Sequence, residues 1–311
     1  MVSSELAWMD PVISEGAAGA GLDGLGRLMS IAIVLEDTRE PFDVEGWPAL
    51  GRDAYHRAGA VVVKDVCTSG FDMRFDHVDG VPEFVFRWRP PPRSRVAYHA
   101  LRSRWHLLSR AVLLQYPAMW WAGTRGRAPL HAAVCTSGEA TVLIAGPAGV
   151  GKTTLLSREL DGGEVATTDN LCVSDGSTAW GIVEPVRSND GIGRRMSYGR
   201  RESRLLNRVS QLEPDRVIVL RRGGSAGPRV ASLPAWLAVR ELVAGTYMAG
   251  ELRRFWSFAA TMSIGAGFGP VHPPVASVAD RLGQRLPCFE VSFPSTHHLR
   301  LADVIDQAVL R

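Results

Sequence analysis

The chain has 311 residues, of which 46% are apolar and 22% are charged, and its formal net charge is +3. This composition is typical of folded globular proteins and excludes a mainly disordered chain. The small net charge gives no support to nucleic-acid binding, and the length suits one large domain or two ordinary ones.

The N-terminus carries acidic residues where a secretory signal needs positive charge, and no apolar stretch is long enough for a membrane span. We therefore expect a cytoplasmic protein without a membrane partner. The cysteines lie far apart and form no Cys-x-x-Cys pair, so reduced thiols are expected. They are Cys67, Cys135, Cys172 and Cys288.

Residues 1–28 are small and polar and predict a flexible leader. Gly19, Gly21 and Gly24 in this leader fit the Gly-x-Gly-x-x-Gly pattern, but a predicted strand follows them where a nucleotide site requires a helix. Residues 29–120 alternate short β-like runs with turn residues and end in a connecting helix. This pattern predicts a small, mostly β N-terminal domain. The arginines of the helix form either a solvated face or a contact for an acidic partner.

Residues 121–311 alternate strands and helices, which is typical of a wound α/β domain. They close with a helical stretch, a Gly/Pro-rich segment, a last strand (CFEVSF) and a final helix. The clearest motif is GPAGVGKT, which matches GxxxxGK[ST] and lies between a predicted strand and a predicted helix. In such loops backbone N–H groups surround the phosphates, the lysine reaches the β and γ oxygens, and the hydroxyl binds Mg²⁺. We predict an ATP and Mg²⁺ site formed by Gly146, Ala148, Gly149, Val150, Gly151, Lys152, Thr153 and Thr154.

A phosphate loop of this kind works with a carboxylate at the end of a second strand. The predicted strand DRVIVLRR ends in Arg221 and Arg222 and offers no acid. Asp169 instead ends the predicted strand EVATTDN, 17 positions after Lys152. This carboxylate accepts a proton from an attacking hydroxyl, helps to hold the metal, or only caps a turn.

The stretch from His131 to Asn170 resembles the catalytic core of the HPr kinase/phosphorylase family, whose nucleotide fold is shared with phosphoenolpyruvate carboxykinase. In that family a histidine precedes the loop lysine by 21 positions, and two aspartates follow it by 17 and 18. His131, Asp169 and Asn170 stand at these positions here. The resemblance implies an α/β fold with a P-loop core of this type, Asp169 as general base and His131 as the residue that orients it.

Asn170 replaces the second aspartate of the family, which removes a charge and leaves the phosphorolysis reaction of the bifunctional enzymes open. Glu184 and Arg187 resemble the family's Glu-x-Arg-containing segment, which implies that Glu184 contributes to the metal site. A strand-edge acid is the alternative for Glu184, and a histidine in the protein core is the alternative for His131.

An arginine-rich stretch follows at 187–208. It predicts a loop that closes over the transferred group and grips an anionic acceptor through Arg187, Arg194 and Arg195, or else a solvated basic loop. Only Tyr198 interleaves these arginines, which argues against nucleic acid as the partner. Other histidines lack partners at metal-ligand spacing: His272, His297 and His298.

Two hypotheses about function follow. The first is a kinase that moves the γ-phosphoryl of ATP onto a Ser-type hydroxyl of a peptide, protein or small metabolite. Some relatives of the family are encoded with peptide natural-product pathways, and the full HPr kinases form hexamers, so the resemblance also allows a homo-oligomer. The second is a nucleotide-binding sensor or regulatory ATPase without a dedicated acceptor. A carboxykinase-like enzyme would need further metal ligands, which the sequence does not offer.

Overall fold

The computed structural model describes residues 1–17, 31–182, 184–188, 194–196, 200–203, 205, 207–223, 227–294, 300–302 and 305. The α-helices in this part are α1 (Asp10–Ala17), α2 (Pro92–Ala100), α3 (Arg102–Arg110), α4 (Tyr116–Gly123), α5 (Lys152–Asp161), α6 (Ala235–Met248), α7 (Phe255–Ala266) and α8 (Val275–Arg285). None of these helices has the length and apolar composition needed to cross a membrane.

The strands of the described residues fall into several sheets. They are β1 (Val2–Ser4), β2 (Ala32–Glu36), β3 (Ala54–Arg57), β4 (Ala60–Val63), β5 (Phe71–Val78), β6 (Val81–Trp88), β7 (Ala128–Leu130), β8 (Ala133–Ser137), β9 (Ala140–Ala145), β10 (Ala166–Thr168), β11 (Cys172–Ser174), β12 (Ala179–Gly181), β13 (Val186–Ser188), β14 (Arg194–Arg195), β15 (Arg201–Ser203), β16 (Gln211–Leu212), β17 (Arg216–Arg222), β18 (Arg229–Ser232) and β19 (Cys288–Phe293). The fold is thus a mixed α/β fold.

The chain divides into two compact units, each made of separate segments. The first unit contains Met1–Arg125, Arg195–Gly199 and Arg254–Pro273. The second contains Gly126–Arg194, Arg200–Arg253 and Pro274–Arg311. The sequence assigned everything after residue 120 to one domain, whereas the segment that carries α7 groups with the first unit.

The first unit is built on a six-stranded sheet with the order β1-β2-β6-β5-β4-β3. Strands β1, β2 and β6 are parallel, and the remaining neighbours are antiparallel. The indole N–H of Trp120 donates to the Ser263 hydroxyl at 3.0 Å, so α7 joins this core. Fully buried aromatic side chains of β5 and β6 line the same core: Phe71, Phe75, Phe84 and Phe86.

The sequence predicted a flexible leader over residues 1–28, but residues 1–17 form regular structure. These residues form β1, a 3-10 turn at Ala7–Met9 and α1. They are ordered because β1 pairs with β2 and because Leu6, Met9 and Val12 are buried. Residues 18–28, which contain the Gly-x-Gly-x-x-Gly pattern, lie outside the described residues.

The second unit contains a six-stranded sheet with the order β10-β8-β9-β17-β19-β18. Its strands β9, β17 and β19 are parallel, and their residues are mostly apolar and buried, as expected for strands covered on both faces. Leu155, Leu156 and Leu160 of α5 belong to the same apolar core. A second, antiparallel sheet has the order β16-β12-β11-β7.

Helix α8 was missed by the sequence analysis, which placed a Gly/Pro-rich segment directly before the last strand. Four of its apolar residues nevertheless recur at helical spacing and are buried: Val275, Val278, Ala279 and Leu282. Most of the predicted closing helix lies outside the described residues. All four cysteines are free thiols, three of them buried and Cys67 half-buried.

Gly181 at the end of β12 lies against the backbone of β10, two residues before Asp169. A Cβ atom at position 181 would overlap the Thr167 carbonyl oxygen. We therefore expect Gly181→Ala to lower the free energy of unfolding by about 1–3 kcal/mol, as overpacking does, measured by urea denaturation.

Gly223→Ala is the matched control, because no atom lies within 4 Å of a Cβ at that position. Its unfolding free energy should change by no more than about 0.5 kcal/mol. Equal urea midpoints for the two variants would contradict the close approach of β10 and β12.

Candidate active site

A loop at residues 146–151 joins β9 to α5, and its shape requires glycine at three positions. Gly146, Gly149 and Gly151 have φ angles of 146°, 77° and 117°, which L side chains rarely adopt. At Gly146 a Cβ would also lie 2.9 Å from the Leu220 carbonyl oxygen. The glycines of the motif are therefore needed by the backbone itself, whether or not a ligand is bound.

Two residues between these glycines have different surroundings. Ala148 is exposed at the tip of the loop, whereas Val150 is buried in the apolar core beside α5. The Val150 carbonyl oxygen accepts a hydrogen bond from Arg222 Nε at 3.3 Å. Val150 is one of the predicted nucleotide-binding residues. Its side chain thus lies in the core, and only its backbone belongs to the loop.

Helix α5 begins with Lys152 and Thr153, which face different partners. The buried Lys152 ammonium donates to the carbonyl oxygens of Gly146 at 2.9 Å and Pro147 at 3.4 Å. The Thr153 hydroxyl donates to Asp169 Oδ2 at 2.9 Å. Thr154, the next residue, is exposed. One direct contact thus joins the first turn of α5 to the carboxylate that the sequence singled out.

Asp169 lies in a tight turn between β10 and β11. The Thr168 hydroxyl accepts hydrogen bonds from the backbone N–H groups of Asn170 at 3.3 Å and Leu171 at 3.2 Å, which shapes this turn. The Asp169 side chain is buried, and its Oδ1 atom has no hydrogen-bond partner among the described residues. A buried carboxylate oxygen in this state marks a place where a cation or a proton can bind.

The environment moves the proton affinities of Asp169 and Lys152 toward neutral pH. Burial raises the pKa of the Asp169 carboxyl to about 6, although the Thr153 hydrogen bond and the charges of Arg187 and Lys152 lower it. Burial lowers the pKa of the Lys152 ammonium to about 8, while Asp169 and Glu251 raise it. Both shifts arise because burial disfavours the charged form of each group.

His131 lies between β7 and β8 and contacts the residue next to Asp169. Its Nε2 is 2.9 Å from Asn170 Oδ1, and its backbone N–H donates to the Thr246 hydroxyl at 3.0 Å. Burial and the Lys152 charge lower the pKa of His131, so the ring is neutral at neutral pH. The ring thus contacts the residue next to Asp169, and a role of His131 toward Asp169 stays a prediction.

Arg187 stands among three glutamates. Its guanidinium lies 3.0 Å from Glu251, 3.6 Å from Glu184 and 3.6 Å from Glu202. Burial raises the pKa of Glu251, but its backbone hydrogen bond and Arg187 together hold that pKa below its ordinary value. Glu202 and Glu251 were missed by the sequence analysis, because they lie 15 and 64 positions from Arg187 and belong to no motif.

The predicted acceptor-binding arginines do not share one environment. Arg187 is bound to glutamates, whereas Arg194 and Arg195 form β14, and the Arg195 side chain is exposed. The boundary between the two units falls between Arg194 and Arg195. An acceptor role for these three arginines stays a prediction.

The strand β17 ends close to the loop but carries no acid, as the sequence indicated. Arg221 forms ion pairs with Glu241 at 2.9 Å and Glu290 at 2.7 Å. Arg222, which the sequence analysis did not consider for the site, contacts the loop through Val150 as described above. The carboxylate of this site therefore comes from Asp169 and not from β17.

The described residues contain no group of three or more histidine, cysteine or acidic side chains that could hold a metal ion. Mg²⁺ needs less than this, because it is usually held by one or two carboxylates, substrate phosphates and water. The Thr153 hydroxyl and Asp169 Oδ2, which lie 2.9 Å apart, fit such a site. His272 stacks on Trp256, and His297 and His298 lie outside the described residues.

Removing the Arg187 charge should leave its three glutamates without their shared cation. We expect Arg187→Met to lower the free energy of unfolding by about 3 kcal/mol, the usual cost of breaking a buried pair. Urea denaturation measures it. Arg216→Met is the control, since Arg216 pairs with the exposed Asp215, and its effect should stay below about 1 kcal/mol. Similar losses for both variants would contradict the role of Arg187 as the centre of this cluster.

No protein-family model matches the chain, and no curated protein matches it in sequence. Among solved structures, the Hpr(Ser) kinase/phosphatase from Coxiella burnetii aligns with 16% identity over 58% of this chain and 93% of its own, with a TM-score of 0.29. A TM-score of this size does not establish a shared fold.

Proposed function

We propose that the chain is a Mg²⁺-dependent phosphotransferase that moves the γ-phosphoryl of ATP onto a hydroxyl group. The observation that carries this proposal is the hydrogen bond between the Thr153 hydroxyl and Asp169 Oδ2 at 2.9 Å. It places a buried carboxylate at the start of the helix that follows the glycine loop. Such a carboxylate is where a transferred phosphoryl group and its acceptor would meet.

The nucleotide phosphates bind to the glycine loop and the first turn of α5. Backbone N–H groups in a first helical turn have no acceptor within the helix and therefore favour an anion. The Lys152 ammonium now donates to the carbonyl oxygens of Gly146 and Pro147. A phosphate bound in the loop replaces these two carbonyl oxygens as the acceptor of the Lys152 ammonium. The positive charge of Lys152 then offsets the negative charge of the γ-phosphoryl oxygens.

The metal site is formed by Thr153 and Asp169. Mg²⁺ held there would supply positive charge to the phosphates of the nucleotide. Glu184 is the third metal residue that the resemblance implies. In the structure its Oε2 atom lies 3.6 Å from the Arg187 guanidinium.

Asp169 is the general base of the proposed reaction. Its Oδ1 takes the proton of the acceptor hydroxyl while the acceptor oxygen forms a bond to the γ-phosphorus and the bond to the ADP oxygen breaks. Burial raises the pKa of this carboxyl to about 6, which leaves it ionised at neutral pH yet more basic than an exposed aspartate. His131 holds Asn170 and so fixes the turn that carries the base.

The acceptor is a Ser-type hydroxyl of a peptide, a protein or a small metabolite, as the family resemblance implies, and a peptide natural-product pathway is one setting for it. Arg187, Arg194 and Arg195 are the proposed contacts for an anionic acceptor. The alternative, a nucleotide sensor or regulatory ATPase, is favoured by Asn170, because the site has one carboxylate fewer than the resemblance requires.

Asp169→Asn separates the two candidates. Peptides and proteins encoded beside the gene are incubated with ATP and Mg²⁺ and examined by mass spectrometry for the gain of one phosphate. The variant should reduce transfer by about 100-fold or more, the usual contribution of a general base. Binding of a fluorescent ATP analogue should remain close to that of the unmodified chain.

Asp161→Asn is the control, since Asp161 is an exposed carboxylate at the end of the same helix. Transfer at the native rate by Asp169→Asn would rule out Asp169 as the base. Hydrolysis of ATP by the unmodified chain, without phosphate on any acceptor, would favour the sensor or ATPase.

Lys152→Met tests the loop itself. Loss of the ammonium should weaken binding of the ATP analogue and abolish turnover, because the γ-phosphoryl charge is no longer neutralised. The chain contains one other lysine, Lys64, which lies over the ring of Tyr55 in the first unit. Lys64→Met should therefore leave turnover unchanged. Full activity of Lys152→Met would remove the loop from the chemistry.

A further inference from the structure

Two adjoining cavities in the first unit lie outside the candidate active site. Their volumes are about 240 Å³ and about 170 Å³. Arg39, Trp88 and Tyr98 line both of them, so together they form one cleft, which we call the aromatic cleft. Leu6, Trp8 and residues 36–38 complete the larger cavity, and Pro90, Arg95 and His99 complete the smaller one.

Three aromatic rings form the apolar wall of the aromatic cleft. The Trp8 ring centroid lies 5.5 Å from that of Trp88 and 6.1 Å from that of Tyr98, and the rings meet edge to face. Trp88 and Tyr98 are 5.9 Å apart in the same manner. Rings at these distances contact each other and leave no room for a small cation between them. The wall is therefore a surface for packing and not a cage.

Trp8 is 42% exposed, although tryptophan has the largest apolar side chain. Exposed tryptophan beside a cavity is typical of binding surfaces, where it contributes contact area at little cost in conformational entropy. The ring is held in place because it stacks on Trp105, with centroids 5.7 Å apart. The aromatic wall is thus ordered before any partner arrives.

The two cavities of the aromatic cleft differ in charge, although Arg39 lines both of them. Glu36 and Asp37 line the larger cavity, and Glu36 is paired with Arg87 at 2.6 Å. Arg95 and His99 line the smaller cavity, both with exposed side chains. A ligand that fills the cleft therefore gains from an anionic group beside Arg39 and Arg95 and loses from an anion placed beside Asp37.

This arrangement distinguishes between classes of partner. A single-stranded nucleic acid would stack on the rings, but it carries a negative charge at every nucleotide and would place one of them beside Asp37. A polypeptide can combine an apolar or ring-bearing side chain with one carboxylate a few residues away. Aromatic-lined grooves that bind extended peptides work in this way.

We propose that the aromatic cleft binds an extended segment of another polypeptide. An aromatic or proline side chain of the segment packs on Trp8, Trp88 and Tyr98, and an aspartate or glutamate of the segment pairs with Arg39 and Arg95. Binding at the cleft does not depend on the proposed transfer reaction, so either can fail without the other.

Display of random peptides of about a dozen residues on the immobilised full chain tests this proposal. We expect enrichment of sequences with an aromatic residue or proline near an aspartate or glutamate. The synthesised peptides are then titrated by fluorescence anisotropy. Combined Arg39→Ala and Arg95→Ala should weaken binding by about tenfold or more, as loss of charge-assisted hydrogen bonds does. Changing the peptide's acid to its amide should have the same effect.

Combined Arg52→Ala and Arg57→Ala is the control, because both arginines are exposed in the first unit and line neither cavity. Its affinity should equal that of the unmodified chain. The proposal is overturned if no peptide is enriched, or if binding is insensitive to Arg39 and Arg95. It is equally overturned if labelled oligothymidylate binds in a manner that requires these arginines and displaces the peptides.

Discussion

The hydrogen bond between Thr153 and Asp169 is the contact on which the candidate active site depends. It joins the first turn of α5 to the turn between β10 and β11. Each side of the contact is fixed separately: glycines with left-handed φ angles set the approach to α5, and the Thr168 hydroxyl sets the turn at Asp169. A site built on two such fixed supports loses little entropy when a ligand binds.

The charged residues of this site come from separate segments of the chain, so no single short motif contains them. Lys152 and Arg187 are the cations, and both act on Asp169 through space. Arg187 is at the same time held by three glutamates from three different segments. Burying a charge costs free energy unless the charge has a partner of opposite sign. Adding or removing an anion near Arg187 therefore changes which partner it binds.

The sequence was sufficient for the parts of the structure that depend on local pattern. The strand, glycine loop and helix around Lys152 lie where predicted, because local pattern fixes them. Asp169 was predicted to end a strand, and it directly follows β10, which ends at Thr168. Glu202 and Glu251 could not be found in this way, since only the folded chain brings them to Arg187. The order in residues 1–17 was missed because β1 is short and gains its partner, β2, from a distant segment. Helix α8 was readable from its apolar spacing and was overlooked.

The first unit is built from segments that lie far apart in the chain, and this affects how it folds during synthesis. Its core includes Trp120 and, from α7, Ser263, while the whole glycine loop and Asp169 lie between them in the chain. A ribosome therefore finishes the segments of the second unit up to Arg253 before the first unit can close its own core. Until α7 emerges, the aromatic residues of β5 and β6 have an incomplete cover, and such exposed apolar surface is the part of a nascent chain that chaperones bind. Each unit thus waits for a segment that is made late: the first unit needs α7, and the second needs α8 and β19, which follow α7 in the chain.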